Sequence, residues 1–233
     1  MFSMLRRMRL DPCMYTHRTY VVSSGDNFSA AKAVEFEQSL PSRKQVPADQ
    51  RKSRARDDST SDLDPPSCYD IVTVPRARCV HQSYLTAPFS TLQCLWACLL
   101  VLCGSHPDQN PLLRVSSPYP DVILANGPAT AVCVVLAARI LRLFHCLITF
   151  LSFRNSALTS DGSKFKSERK DAPSDFKLRT VFVESWARVT TLSLSGKLLL
   201  PFVDRFLVQW PGLEGKMAWR GMRKTEYVGA LVD

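Results

Sequence analysis

Cys94, Cys98, Cys103 and His106 form the densest group of metal-ligating side chain types in this 233-residue chain, and their chemistry would suit zinc. Cys94 and Cys98 stand one helical turn apart. Zinc fingers and knuckles, however, set their cysteine pairs in polar, turn-forming sequence. Here the intervening residues are Leu95, Trp96, Ala97, Leu99, Leu100, Val101 and Leu102. Free cysteine packs as a small buried hydrophobe, so core or membrane packing is the expected role and no metal ligand is assigned. The other chemistry open to these thiols is acylation near a membrane surface, for which Cys103 and Cys146 are the better candidates.

Two further groups suggest phosphate contact. Gly212, Gly215 and Lys216 resemble part of a backbone-clamping glycine loop, but Glu214 between them would repel a phosphate and Pro211 interrupts any helix leading in. The segment 216–224 interleaves four cations with Trp219, Met217 and Met222, a pattern suited to an anionic bilayer or to stacking on single-stranded nucleic acid. The run Arg51-Lys52-Ser53-Arg54-Ala55-Arg56 is followed by Asp57, Asp58 and Asp62, which cancel much of its field. Asn27-Phe28-Ser29 matches a glycosylation acceptor without a secretory signal to support it. The sequence contains no serine elbow, His-Glu-x-x-His pair, phosphate loop or dinucleotide fingerprint, and its four histidines are scattered at 17, 81, 106 and 145. No catalytic or cofactor-binding residue is assigned, no cofactor is implied, and no small-molecule substrate is identifiable.

The elements that must carry these residues are set by hydropathy. Residues 79–107 contain no Asp, Glu, Lys or Arg, although the chain carries a formal charge of +9. A stretch of this kind demands burial in a core, in a bilayer or against a partner. A second apolar run covers 122–138, weakened in its first half by Asn126, Gly127 and Pro128. After it, Arg139 and Arg142 fall on one side of an amphipathic helix reaching Leu151. The division expected along the chain is a basic N-terminal segment with a short helix (1–40), a disordered charged linker (41–67), an apolar helical hairpin region (79–151), a mobile linker (152–177) and a small mixed C-terminal region with a basic tail (178–233). Asp26 should cap the first helix and Pro41 should end it. Residues 178–194 are β-prone, and Pro201 suits the start of a short helix bearing Phe202, Phe206 and Trp210.

The expected fold class is therefore mainly α with disordered linkers, built around a two-segment membrane hairpin at about 85–103 and 122–138. Cation distribution supports it: 13 Lys and Arg in 1–84, only Arg114 in the loop 104–121, and 16 in 139–233. Both termini would then be cytoplasmic, with residues 139–151 along the interface and their cations in the headgroups. The function that follows is that of a membrane-associated, non-enzymatic protein of unknown activity whose partner is membrane lipid. The competing reading is a soluble, basic, partly disordered protein associated with nucleic acid, in a mitochondrial or nuclear compartment. A third arises from the 28 Leu, 24 Ser and 20 Arg, which are the six-codon amino acids: a young reading frame without evolved activity.

Overall fold

The computed structural model describes residues 2–7, 15–40, 69–78, 86–109, 119–127, 129–158, 178–217, 219 and 223–231. The expected linker at 41–67 lies outside the described residues, as does most of the one at 152–177.

The architecture is α/β with parallel sheets, which corrects the mainly α expectation. β1 (Arg18–Ser23) pairs in parallel with β2 (Tyr69–Val74), and β3 (Val122–Asn126), β4 (Arg179–Val183), β5 (Arg205–Val208) and β6 (Glu226–Tyr227) form a second parallel sheet in that order. The helices are α1 (Phe2–Arg7), α2 (Asn27–Ser39), α3 (Ala87–Cys103), α4 (Ala129–Leu158) and α5 (Leu194–Leu199). Parallel strands need a crossover between them, and α2, α4 and α5 each lie between two paired or successive strands.

The expected hairpin fails at a specific place. Its first segment is largely α3, whose Cys94, Ala97, Cys98, Val101 and Leu102 are buried against protein. Its second segment is two elements, because Gly127 adopts φ 108° after a five-residue strand and the chain re-enters as α4. An L side chain is strained at that dihedral, so neither a strand nor a helix runs through it. Short buried parallel strands also look like helix or span fragments by hydropathy alone, so 122–126 is not separable by hydropathy from the segment that follows it.

The C-terminal elements differ from expectation in the same way. Within the β-prone stretch only 179–183 is strand, and the helix expected from Pro201 is replaced by β5, with α5 preceding it. Phe182 and Phe206 explain the preference: both are almost fully buried, their rings lie 5.0 Å apart, and they face Leu199, Leu200 and Ala125. α2 begins and ends where the sequence placed it, with the Asp26 carboxylate accepting from the Ser29 N–H at 3.1 Å.

α3 and α4 make one packed layer. Cys94, Cys98 and Leu102 meet Cys133, Val134, Ala137, Ala138 and Ile123, and Val21 of β1 touches both this cluster and the Val72, Val74, Ala97, Val101 cluster. Small residues at 133, 137 and 138 let the helices approach closely. The two sheets thus share a core, although among the described residues no strand of one is hydrogen-bonded to a strand of the other. α2 packs elsewhere, held by Arg18, whose Nε and terminal nitrogen each donate to Glu37 at 2.7 Å, and by the Tyr20 hydroxyl at 2.6 Å. Burial and the Glu37 carboxylate raise the Tyr20 phenol well above its ordinary value.

The 24 residues from Ala129 to Ser152 are apolar and long enough to cross a membrane by length and composition, which fits the expected membrane association. Its cations do not behave as expected. Arg142 grips both oxygens of Asp204 at 2.9 and 2.6 Å and also donates to the Leu178 carbonyl, while Arg139 lies 3.5 Å from Asp204 and donates to the Phe202 carbonyl.

Candidate functional site

In open parallel α/β sheets, ligands bind beyond the carboxyl ends of the strands, where the order of connection reverses. The counterpart of that point here is where the end of β1, which pairs with β2, meets the end of β3, which pairs with β4, the two being joined by Ser23 and Thr130. The residues found there are Ser23 at the end of β1 with Ser24 and Gly25 after it, Arg76 after β2, and Asn126, Gly127 and Thr130 at the β3 to α4 junction.

Each is held by local geometry. The Ser24 N–H donates to the Val74 carbonyl at 2.8 Å, and Arg76 Nε donates to the Ser24 carbonyl at 2.7 Å, which ties the two strand ends together. Gly25 takes φ 76°, and a Cβ there would lie 3.4 Å from the Arg76 guanidinium. The turn needs glycine for its dihedral, and the exposed Arg76 side chain lies over it. The Ser23 and Thr130 hydroxyls are 2.8 Å apart and bridge the two sheets. Among the described residues, a Cβ on Gly127 would meet nothing within 4 Å beside the first turn of α4. That turn carries no acidic residue, and the N–H groups and dipole of a helix N-terminus favour an anion.

The next strand end is built differently. Glu184 follows β4, is 2% exposed, and accepts from the Ser185 N–H at 2.9 Å and from the Ser193 N–H and hydroxyl at 3.1 Å each. Ser193 in turn accepts from the Gly196 N–H and caps α5. A Cβ on Gly196 would collide with the Glu184 carboxylate, so glycine is required for contact. Glu184 is therefore committed to positioning the β4 to α5 loop, and an enclosed carboxylate with three donors is poorly placed to take a proton from a substrate. Beside it the Trp186 and Trp210 rings stack at 4.5 Å, and Trp210 Nε1 donates to the Trp186 carbonyl at 2.8 Å. Gln209, also buried, spans from the Glu184 carbonyl to the Leu231 N–H and closes that end.

The groups singled out in the sequence lie elsewhere. Cys94 and Cys98 sit in the α3/α4 contact with Cys133, and His106 faces Asp108 at 3.7 Å. The hydrogen bond with Cys94 and burial push the Cys133 thiol far above its ordinary range, the reverse of what a ligand or nucleophile needs. Among the described residues, no group of three or more His, Cys, Asp or Glu could hold a metal ion. Gly212 is the middle residue of a single 3-10 turn, Pro211–Leu213, and Lys216 donates to the Thr190 carbonyl rather than crowning a phosphate loop. Ala218 and residues 220–222 of the basic tail, and the cation run at 51–56, lie outside the described residues. What sequence reading missed was the junction Val122-Ile123-Leu124-Ala125-Asn126-Gly127, a β-prone run closed by a turn residue, the usual mark of a strand feeding a helix.

Comparison with known proteins agrees with this architecture. The chain is 63% identical, over the whole of both sequences, to the UDP-N-acetylglucosamine transferase subunit alg14 of Aspergillus fumigatus. It is 36% identical to the subunit of that name from Schizosaccharomyces pombe, over 95% of this chain and 73% of that protein, and 30% identical to the human one over 94% and 71%. No solved structure matches it. These likenesses overturn the expectation of an uncharacterised, non-enzymatic protein without an identifiable small-molecule substrate, because the relatives are named as parts of an enzyme acting on a nucleotide sugar. They also leave no room for a young, unselected reading frame. The sequence model of the family described as "Oligosaccharide biosynthesis protein Alg14 like" matches residues 1–231, and the chain belongs to that family.

Proposed function

We infer that this chain is a subunit of a UDP-N-acetylglucosamine transferase of oligosaccharide biosynthesis, and that the crevice between the β1 and β3 ends receives a phosphate-bearing substrate of that reaction. The observation that carries the second part is the coincidence of the β1/β3 junction with an anion-favouring surface: Arg76 over the Gly25 turn, and the first turn of α4 behind Gly127. In the reaction, the bond from the sugar's anomeric carbon to the UDP oxygen breaks. A bond to an acceptor hydroxyl forms, the hydroxyl loses its proton, and UDP departs. This chain's part is binding and orientation: the guanidinium and helix N–H groups offset phosphate charge, and the Ser23 to Thr130 bridge fixes the spacing of the two loops. The word "subunit" in the relatives' names implies assembly with another polypeptide, which would supply the remainder of the site.

The test is replacement of the corresponding subunit in Schizosaccharomyces pombe. Membranes from cells relying on this chain should transfer labelled N-acetylglucosamine from its UDP-sugar. Arg76→Ala should raise the KM about tenfold or more with the chain present at normal abundance, as loss of a charge-assisted contact does. Absence of transfer despite a stably expressed chain would overturn the subunit assignment. An unchanged KM would overturn the crevice.

A further inference from the structure

The sheet edge that carries the crevice continues past it. β3, β4 and β5 are parallel neighbours, so Trp186, just beyond β4, and Trp210, just beyond β5, leave the sheet at the same end as Asn126 and Gly127. At ~4.8 Å between strands, the two strand ends that carry the indoles lie about 5 and 10 Å from the end of β3. Trp210 also packs on the core cluster that holds Ala125 of β3 and Ala131 in the first turn of α4. The tryptophan pair therefore borders the crevice rather than a separate part of the molecule.

The pair is held in one shape. Its rings lie 4.5 Å apart with 34° between their planes, Trp210 Nε1 donates to the Trp186 carbonyl at 2.8 Å, and the Arg188 N–H closes a turn onto the Ser185 carbonyl at 3.0 Å. Glu184 fixes the loop from inside through Ser185 and Ser193. Trp186 nonetheless keeps 37% of its surface exposed. A rigid aromatic face that the fold leaves partly uncovered beside a crevice is a surface for a ligand.

We propose that Trp186 is the stacking face for a pyranose ring, so that this chain holds a sugar phosphate at two points: phosphate at Arg76 and the start of α4, sugar on the tryptophan pair. The proposal rests on the crevice reading above and adds the residue that selects a saccharide over other phosphate compounds. A pyranose chair with equatorial substituents shows C–H groups on its faces and hydroxyls around its rim. An indole removes such a face from water and leaves the rim to hydrogen-bonding groups, of which exposed Arg188 stands in the same turn. A nucleobase could cover the same face, but bases are read along their edges. The amide adjoining the pair, on Gln209, is buried and already spent on the Glu184 carbonyl and the Leu231 N–H.

Competition in the membranes of the transfer assay tests this, with N-acetylglucosamine 1-phosphate and inorganic phosphate as probes. With the parent chain the sugar phosphate should inhibit transfer at roughly tenfold lower concentration than phosphate. Trp186→Ala should erase that preference and Trp186→Phe should keep most of it, at normal abundance of the chain and with inhibition by UDP unaltered. Both variants retain the Trp186 carbonyl that Trp210 uses. The KM for UDP-N-acetylglucosamine then names the source of the ring: raised in Trp186→Ala, the sugar is the donor's; unchanged while transfer falls, it is the acceptor's. A parent without preference for the sugar phosphate, or a preference that survives in Trp186→Ala, would overturn the proposal. So would an equal loss of UDP inhibition, which would assign the face to the uracil ring. Arg76→Ala separates this reading from the one beneath it. If that variant weakens both probes while the preference ignores Trp186, the crevice stands and the stacking face falls; if neither probe responds to it, the crevice falls.

Discussion

Residues 129–142 and 143–158 of α4 are drawn from the same vocabulary of Leu, Ile, Val, Phe, Ala and Cys, yet one half is walled in by α3, β3 and α5 while the other stands clear of them. Side chain size separates them. The buried half uses Ala131, Cys133, Val135, Ala137 and Ala138, which permit close contact with a sheet and a neighbouring helix. The exposed half presents Leu143, Phe144, Leu147, Ile148, Phe150 and Leu151, larger side chains that no neighbouring element covers among the described residues. Hydropathy sees one continuous apolar helix. Volume and burial see two.

The comparison is broken most severely by a charge in the first half. Val135→Asp, at a fully buried position, should cost more than about 4 kcal/mol and leave little soluble chain, because the carboxylate would be enclosed by the apolar side chains of the cluster around it. Circular dichroism and yield would show it. The same change at Leu147 should leave the fold intact.

The boundary between the halves is the Asp204 clamp. Burial alone would raise the Asp204 carboxyl, but hydrogen bonds from Arg142 and from the Thr180 N–H and hydroxyl more than offset this and hold it at about 2, below its ordinary 3.8. A lowered acid pKa contributes stability that is present in full above the unfolded-state value and is lost as pH falls through the folded one. Asp204→Asn should therefore cost about 2 kcal/mol near neutral pH, less than a wholly enclosed pair would, and the gap from the parent should close between about pH 4 and pH 2. Denaturant titrations across that range measure it. A gap independent of pH would mean that the clamp works by packing alone.

Smaller effects sharpen the picture at either end of the helix. Gly127→Ala has open space for its methyl group, so its cost is the backbone dihedral alone, about 1 to 2 kcal/mol, read from thermal midpoints. Leu147→Ser, at an exposed position, should change stability by less than about 0.5 kcal/mol. A large loss of stability there would show that the overhang is covered by protein.

Part of this was legible in the residues. Asp26, Ala33, Phe36 and Pro41 place α2 without help, because a side chain cap, one apolar face and a stop are local matters. The β-prone stretch at 178–194 likewise contains a strand, though only at 179–183. The crevice was not. Ser23, Arg76, Gly127 and Thr130 are unremarkable types spread over more than a hundred positions, and only strand order brings them to one edge.

By itself the sequence determined which segments must be buried, where α2 starts, and that the chain is basic, since these depend on composition and on neighbours within a few positions. Tertiary structure decided whether the apolar runs were spans, strands or core helices. It also decided that Arg139 and Arg142 would serve a carboxylate sixty residues away rather than headgroups directly. A buried parallel strand, a core helix and a membrane segment satisfy the same local demand, removal from water, and they differ only in what lies on the other side of the contact.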